Sequence, residues 1–285
     1  MVEEQSTSKA LQPFTIPGVA RFAYAPFWKL LATLFSFAVL GGLVAIFVAQ
    51  RCWSPVITDA VANLPTTGRI HSGELYWPEK QGRLLAANEF LSIETMTEHD
   101  SGETRSSDIA LLLSPHELMV GSLAGFAAIP YPPGLNAELN RDALSPWWGA
   151  WKPALLALFG ASCSLGLFCY WCLAALIYSF YPIIIGGALN REISFRGSWK
   201  LACASQIPGA ILISFALILY AAGQIALIFL IVLAAAHWIT SWIYLLLAPL
   251  FLRKTEATKP NPFTNKPTGK KSRGKNPFGT ASADE

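Results

Sequence analysis

The sequence predicts an α-helical integral membrane protein with about four transmembrane helices and a small β-rich or α+β extracytoplasmic domain inserted after the first helix. Charge content is the first reason. Only 14% of the 285 residues are charged, against roughly 25% in ordinary soluble domains, and the mean hydropathy is +0.41. The distribution is the second reason. Residues 30–49, 154–189 and 207–252 carry no Asp, Glu, Lys or Arg, and about 20 such residues of helix cross about 30 Å of hydrocarbon. The third is charge sign. Residues 51–152 hold seven Lys/Arg against twelve acids, whereas residues 253–285 hold eight against three. Acidic and basic segments alternating between apolar runs are an orientation signal.

Residues 1–20 are polar, with Pro13 and Pro17, and residues 1–28 are expected to form a cytoplasmic tail. The first span is expected at 29–50. Its apolar part is too long for a signal peptide, and no small-residue cleavage site follows it, so it is read as an uncleaved anchor. Gly41, Ala45 and Ala49 fall four apart, either a small-residue stripe for close helix contact or ordinary Gly and Ala usage.

Residues 51–146 are expected to form the β-rich extracytoplasmic domain, folding on its own as a modest core. Gly68 to Trp77 has the pattern of a turn between two short strands. Phe90–Thr95, Ile109–Leu113 and Leu118–Ser122 are apolar and β-branched runs bounded by turn residues. A turn is expected at Asp100-Ser101-Gly102.

Residues 147–252 are expected to form a membrane block of three helices, at about 153–180, 204–221 and 224–251. Ser145-Pro146 has the form of an N-cap followed by Pro at the first helical position. Trp147, Trp148 and Trp151 suit an interfacial aromatic belt. A 36-residue uncharged helix would extend about 54 Å, so Pro182 is expected to kink or end the second span. Four spans put both termini on one side, and the basic loop at Arg191, Arg196 and Lys200 makes that side the cytoplasm, hence an inner or plasma membrane location.

The tail, 253–285, is rich in Pro, Gly, Lys and Ser and is expected to be disordered. Its basic run attracts anionic lipid headgroups at about 1 kcal/mol per residue near the surface. Asn261-Pro262-Phe263 and Asn276-Pro277-Phe278 resemble short adaptor ligands. No nucleic acid partner is expected.

No catalytic, cofactor or metal set is expected. Cys169 and Cys172 have C-x-x-C spacing among Leu167, Phe168 and Leu173, a setting that keeps thiols inert. His71, His99 and His116 match no metal spacing. Ser122 lies one place too early for a nucleophile elbow between Gly121 and Gly125. Gly269-Lys270-Lys271-Ser272 lacks the upstream Gly of a phosphate loop. The candidate intramembrane polar site is His237 with Ser241 and Tyr244, four and seven residues on along one helical face. Ionisable groups at that depth are costly and face protein. A hydrogen bond between His237 and Ser241 or another helix is the structural expectation; a transport pathway is the functional one.

The order of parts carries a resemblance. One N-terminal span, Leu64-Pro65, Ile70-His71-Ser72-Gly73-Glu74-Leu75-Tyr76-Trp77, Ser107-Asp108-Ile109 and a C-terminal helical block resemble bacterial membrane proteins of the domain-of-unknown-function 1189 type. Tyr178-Ser179-Phe180-Tyr181-Pro182 and Trp199-Lys200 are similar to Yip-type membrane proteins. The resemblance covers about residues 20–250 and implies neither a known reaction nor a catalytic residue. The expected function is sensing, ligand binding or protein-partner interaction by the extracytoplasmic domain. The alternative is a transporter or permease component with His237 in its pathway.

Overall fold

The computed structural model describes residues 12–79, 82–96 and 107–255. His99, the Asp100–Gly102 turn, the Gly269–Ser272 segment, the Asn-Pro-Phe pair and the basic tail beyond residue 255 lie outside them. The fold is mostly helical, with four helices long and apolar enough to cross a membrane and two small β-sheets between the first and second.

A short helix α1 (Ile16–Arg21) leads in, capped by the Thr15 hydroxyl, which accepts from the Gly18 N–H at 3.2 Å. The first long helix is α2 (Phe27–Val48). It does not stop near residue 50 as its composition suggests. It passes through a π-turn at Ala49–Trp53 into α3 (Ser54–Ala62), a continuous run of 36 residues. The π-turn precedes Pro55, which cannot donate to the carbonyl four residues back; widening the turn absorbs that loss without ending the helix. The β-rich region therefore begins after Ala62, not at 51.

Strands β1 (Arg69–His71) and β2 (Glu74–Tyr76) form a hairpin. Its two turn residues, Ser72 and Gly73, both have positive φ, at 52° and 83°, as a twist-matched two-residue turn requires. Strand β8 (Ala137–Glu138) joins β1 on its other edge. The second sheet has the order β3-β4-β5-β6-β7, formed by Arg83–Ala87, Leu91–Thr95, Ile109–Leu113, Glu117–Ser122 and Gly125–Pro130. All neighbours are antiparallel except β4 and β5, which run parallel. Strands β3, β7 and β8 are not apparent in the sequence pattern.

Helix α4 (Arg141–Tyr178) starts earlier than Ser145-Pro146 suggests. Asn140 is the N-cap, its side-chain oxygen accepting from the Ala143 N–H at 2.8 Å. Asn is as good a cap as Ser, and the chain leaves β8 only two residues earlier. Pro146 then lies inside the helix. The break near Pro182 falls at Ser179, and α5 (Phe180–Ala188) follows. The Ser198 hydroxyl donates to the Ser179 carbonyl at this break.

Helix α6 (Phe195–Ala221) begins nine residues before the expected 204. Ser194 caps it, accepting from the Gly197 N–H at 3.1 Å. Its charged first turns are accommodated because Lys200 Nζ donates to the Ala25 carbonyl at 2.7 Å. Helix α7 (Leu227–Leu247) ends in a 3₁₀ turn, Ala248–Phe251. Helix α6 is the hub: half of its most apolar window is buried, against 6% for α7.

The close approach of α2 to α4 lies at Gly42 rather than along the 41/45/49 stripe. A Cβ on Gly42 would lie 2.5 Å from the Gly160 carbonyl oxygen and would collide with the Ser164 hydroxyl. Gly41 meets only the flexible end of Leu167. At the far end of the bundle the first and last described segments meet: the Tyr244 hydroxyl donates to the Phe14 carbonyl at 2.6 Å, and the Arg253 guanidinium lies 4.9 Å over the Tyr24 ring.

Candidate functional site

Two places gather polar groups. The first is a small cavity among α4, α6 and α7, lined by Trp171, Ser205, Gln206, His237, Ser241 and their aromatic neighbours. Gly209 lets α6 and α7 approach; a Cβ there would lie 2.5 Å from the His237 carbonyl oxygen. The structure thus brings His237 and Ser241 to one cavity, but Tyr244 is directed to Phe14 instead.

The hydrogen bonds there are mostly local. His237 Nδ1 lies 2.8 Å from the Ala234 carbonyl, one turn back in its own helix. The Ser241 hydroxyl donates to the His237 carbonyl, not to the imidazole. The Ser205 hydroxyl donates to Ala202. The group that reaches across helices is Gln206, whose Nε2 donates to the Trp171 carbonyl at 3.1 Å. Sequence reasoning missed Gln206; a buried amide in an apolar span is itself the signal. The cavity holds about 20 Å³ of space for water centres, enough for about one water molecule.

His237→Leu is accordingly expected to lower stability by about 0.6–2 kcal/mol, toward the low end, because the ring's contact is within its own helix. His237→Gln should hold wild-type stability. Thermal unfolding of the detergent-purified variants checks this. A larger loss would point to an interhelical bond that this geometry lacks.

The second place is an open groove of about 530 Å³ on the β1–β2–β8 sheet, lined by Arg69, Tyr76, Trp77, Glu138 and Asn140, with Thr67, Gly68 and Pro78 at its rim. Antiparallel pairing sets Arg69 beside both Tyr76 and Glu138. The Arg69 guanidinium lies 5.7 Å from the Tyr76 ring centroid, within cation–π range. Asn140 Nδ2 donates to Glu138 Oε2 at 3.2 Å. The indole Nε1 of Trp77 is hidden from solvent and has no hydrogen-bond partner among the described residues. The groove thus presents a cation, a carboxylate and aromatic faces. These are the elements with which small polar molecules are held. Among the described residues no group of three His, Cys, Asp or Glu is placed to hold a metal.

This sheet system is seated on the helix ends through the turn between β3 and β4. Asn88 Nδ2 donates to the Cys52 carbonyl at 2.8 Å. Phe90 packs edge-on against Tyr220, with centroids 4.9 Å apart. The Tyr220 hydroxyl donates to Asp108 Oδ2 at 2.6 Å.

Compared with known protein families, curated proteins and solved structures, the chain matches none.

Proposed function

We propose that this is a non-catalytic multipass protein of an inner or plasma membrane whose β-rich domain binds a small polar ligand on the extracytoplasmic side and passes its occupancy to the helices. One observation carries the reading. Asn140 lines the groove and is also the N-cap of α4, so the groove wall caps a helix that crosses the membrane. A ligand that draws the Asn140 side chain away would remove the cap, a change of about 0.5–2 kcal/mol at the start of α4.

A thermal-shift screen of the full chain in nanodiscs, against amino acids, dicarboxylates and small sugars, tests it. A compound that raises the melting temperature of wild type but not of Arg69→Ala supports the reading. No shift with any class, or equal shifts in both proteins, argues against it.

The sidedness rests on the segregation of charge, with the acidic segment between the first two spans and the basic segments opposite. Reporter fusions at Gly102 and Gly269 are expected to report opposite sides of the membrane, with Gly269 cytoplasmic. A shared side would overturn the topology. The transporter alternative draws on His237 and Gln206 facing one cavity; room for about one water gives it less support than the groove gives sensing.

A further inference from the structure

The hairpin of β6 and β7 lies in a stretch with no Asp, Glu, Lys or Arg from Leu118 to Ala137. Every residue of β7 is exposed, and the turn joining it to β6 carries Leu123, 68% exposed, next to Phe126 at 58%. Apolar groups so placed on an edge strand invite association unless something covers them.

The strand registers show which way the turn faces. Leu91 in β4 pairs with Ile109 in β5, and Ile109 pairs with Ser122 in β6. The Ser122–Gly125 turn is therefore at the same end of the sheet as the β3–β4 turn. That end is the one seated on the helices, through Asn88 on Cys52 and Asp108 on Tyr220.

The height of that seat follows from the helix crossing. Gly42 of α2 packs on Gly160 of α4. Arg51 lies nine residues beyond Gly42, and Lys152 eight before Gly160. At 1.5 Å per residue both charges stand about 12–14 Å from the crossing, on the same side of it. They mark where hydrocarbon gives way to headgroups, and Cys52 is adjacent to Arg51. The sheet's lower edge thus lies at the bilayer surface.

Sideways position completes the argument. Strands β3 and β4 pack on α3. Strand β7 is three ladder steps from β4, or about 14 Å at the usual strand spacing. The turn therefore stands clear of α3, and Leu123 at its tip, 68% exposed, is left uncovered.

We infer that the β6–β7 turn dips Leu123 into the leaflet on the domain's side of the membrane in which the protein is embedded, while the Phe126 ring lies across the sheet face over Gly121. The occupant of this apolar surface is phospholipid rather than a second polypeptide. An uncharged tip led by an aliphatic residue suits the boundary between headgroups and acyl chains. This inference stands independently of ligand binding in the groove and of which side is cytoplasmic.

The test is photocrosslinking of the full chain with benzoylphenylalanine at position 123, in nanodiscs of phosphatidylethanolamine and phosphatidylglycerol. The control carries the same label at position 116, an exposed site at the opposite end of β6. Neither site is buried, so both labelled chains should fold. Intact-mass analysis after irradiation should show a shift of one phospholipid for position 123 and none for position 116. A covalent dimer at position 123, equal lipid adducts at both sites, or no lipid adduct at position 123 would overturn the inference.

Discussion

Gly42→Leu is expected to lower the stability of the helix bundle by about 1–3 kcal/mol, or more if α2 and α4 separate. The side chain has nowhere to go. A Cβ alone would meet the Ser164 hydroxyl and stand 2.5 Å from the Gly160 carbonyl oxygen, and backbone atoms of a packed helix cannot step aside as a side-chain end can. Membrane helices associate largely through such close packing. Gly166→Ala is the control. Nothing lies within 4 Å of a Cβ there, and alanine is the better helix former by about 1 kcal/mol, so this variant should be as stable as wild type or slightly more so. Thermal unfolding of the purified proteins in one detergent, with size exclusion to detect opened bundles, distinguishes the two. Equal behaviour of both variants would mean that the Gly42 crossing is not a close one.

Asp108→Ala is expected to cost about 1.5–3 kcal/mol, the range for a hydrogen bond to a charged group, and to loosen the sheet system from the helices. The 2.6 Å bond from Tyr220 ties the start of β5 to the end of α6, and the part-buried hydroxyl would be left without its acceptor. Tyr220→Phe removes the donor but keeps the ring on Phe90, so its loss should be smaller. Combining the two substitutions should cost less than the sum of the single effects, because they break one bond. Limited proteolysis in the β-rich region, read beside thermal unfolding, would show whether it detaches before the bundle melts. Strict additivity would show that the two groups act separately.

Much of this architecture is legible in the sequence, and the misses share a cause. The apolar runs announce four long helices, and Pro182 announces the break found at Ser179. The runs 90–95, 109–113 and 118–122 read as strands because their composition is local information. Strand β7 has little β-branched character in Gly125–Pro130; it exists because β6 offers a ladder. The end of the first helix is misplaced because Gln50, Arg51 and Pro55 look like a stop, and a π-turn is not written in composition. Ser145-Pro146 looks like a start, yet Asn140 caps because β8 delivers the chain there.

The sites divide in the same way. His237 stands out in an apolar run, so it is seen at once, while the partner of its ring, a carbonyl of its own helix, is a matter of geometry. The groove is invisible in the sequence because Arg69 and Glu138 meet only through the β1–β8 pairing, across nearly seventy residues. Its link to α4 through Asn140 is hidden for the same reason.

The meeting of the first and last described segments has a consequence for biosynthesis. Phe14 and Tyr24 find Tyr244 and Arg253 across about 230 residues of sequence, while α1 packs on the 3₁₀ turn that ends the last helix. Contacts of such separation form late. The earliest-synthesised helix must therefore wait, its partner still inside the ribosome, until nearly every described residue has been made. A nascent chain arrested before Ala248 would leave α1 without that partner, and such a chain should be far more open to quality-control proteases than the released full-length protein.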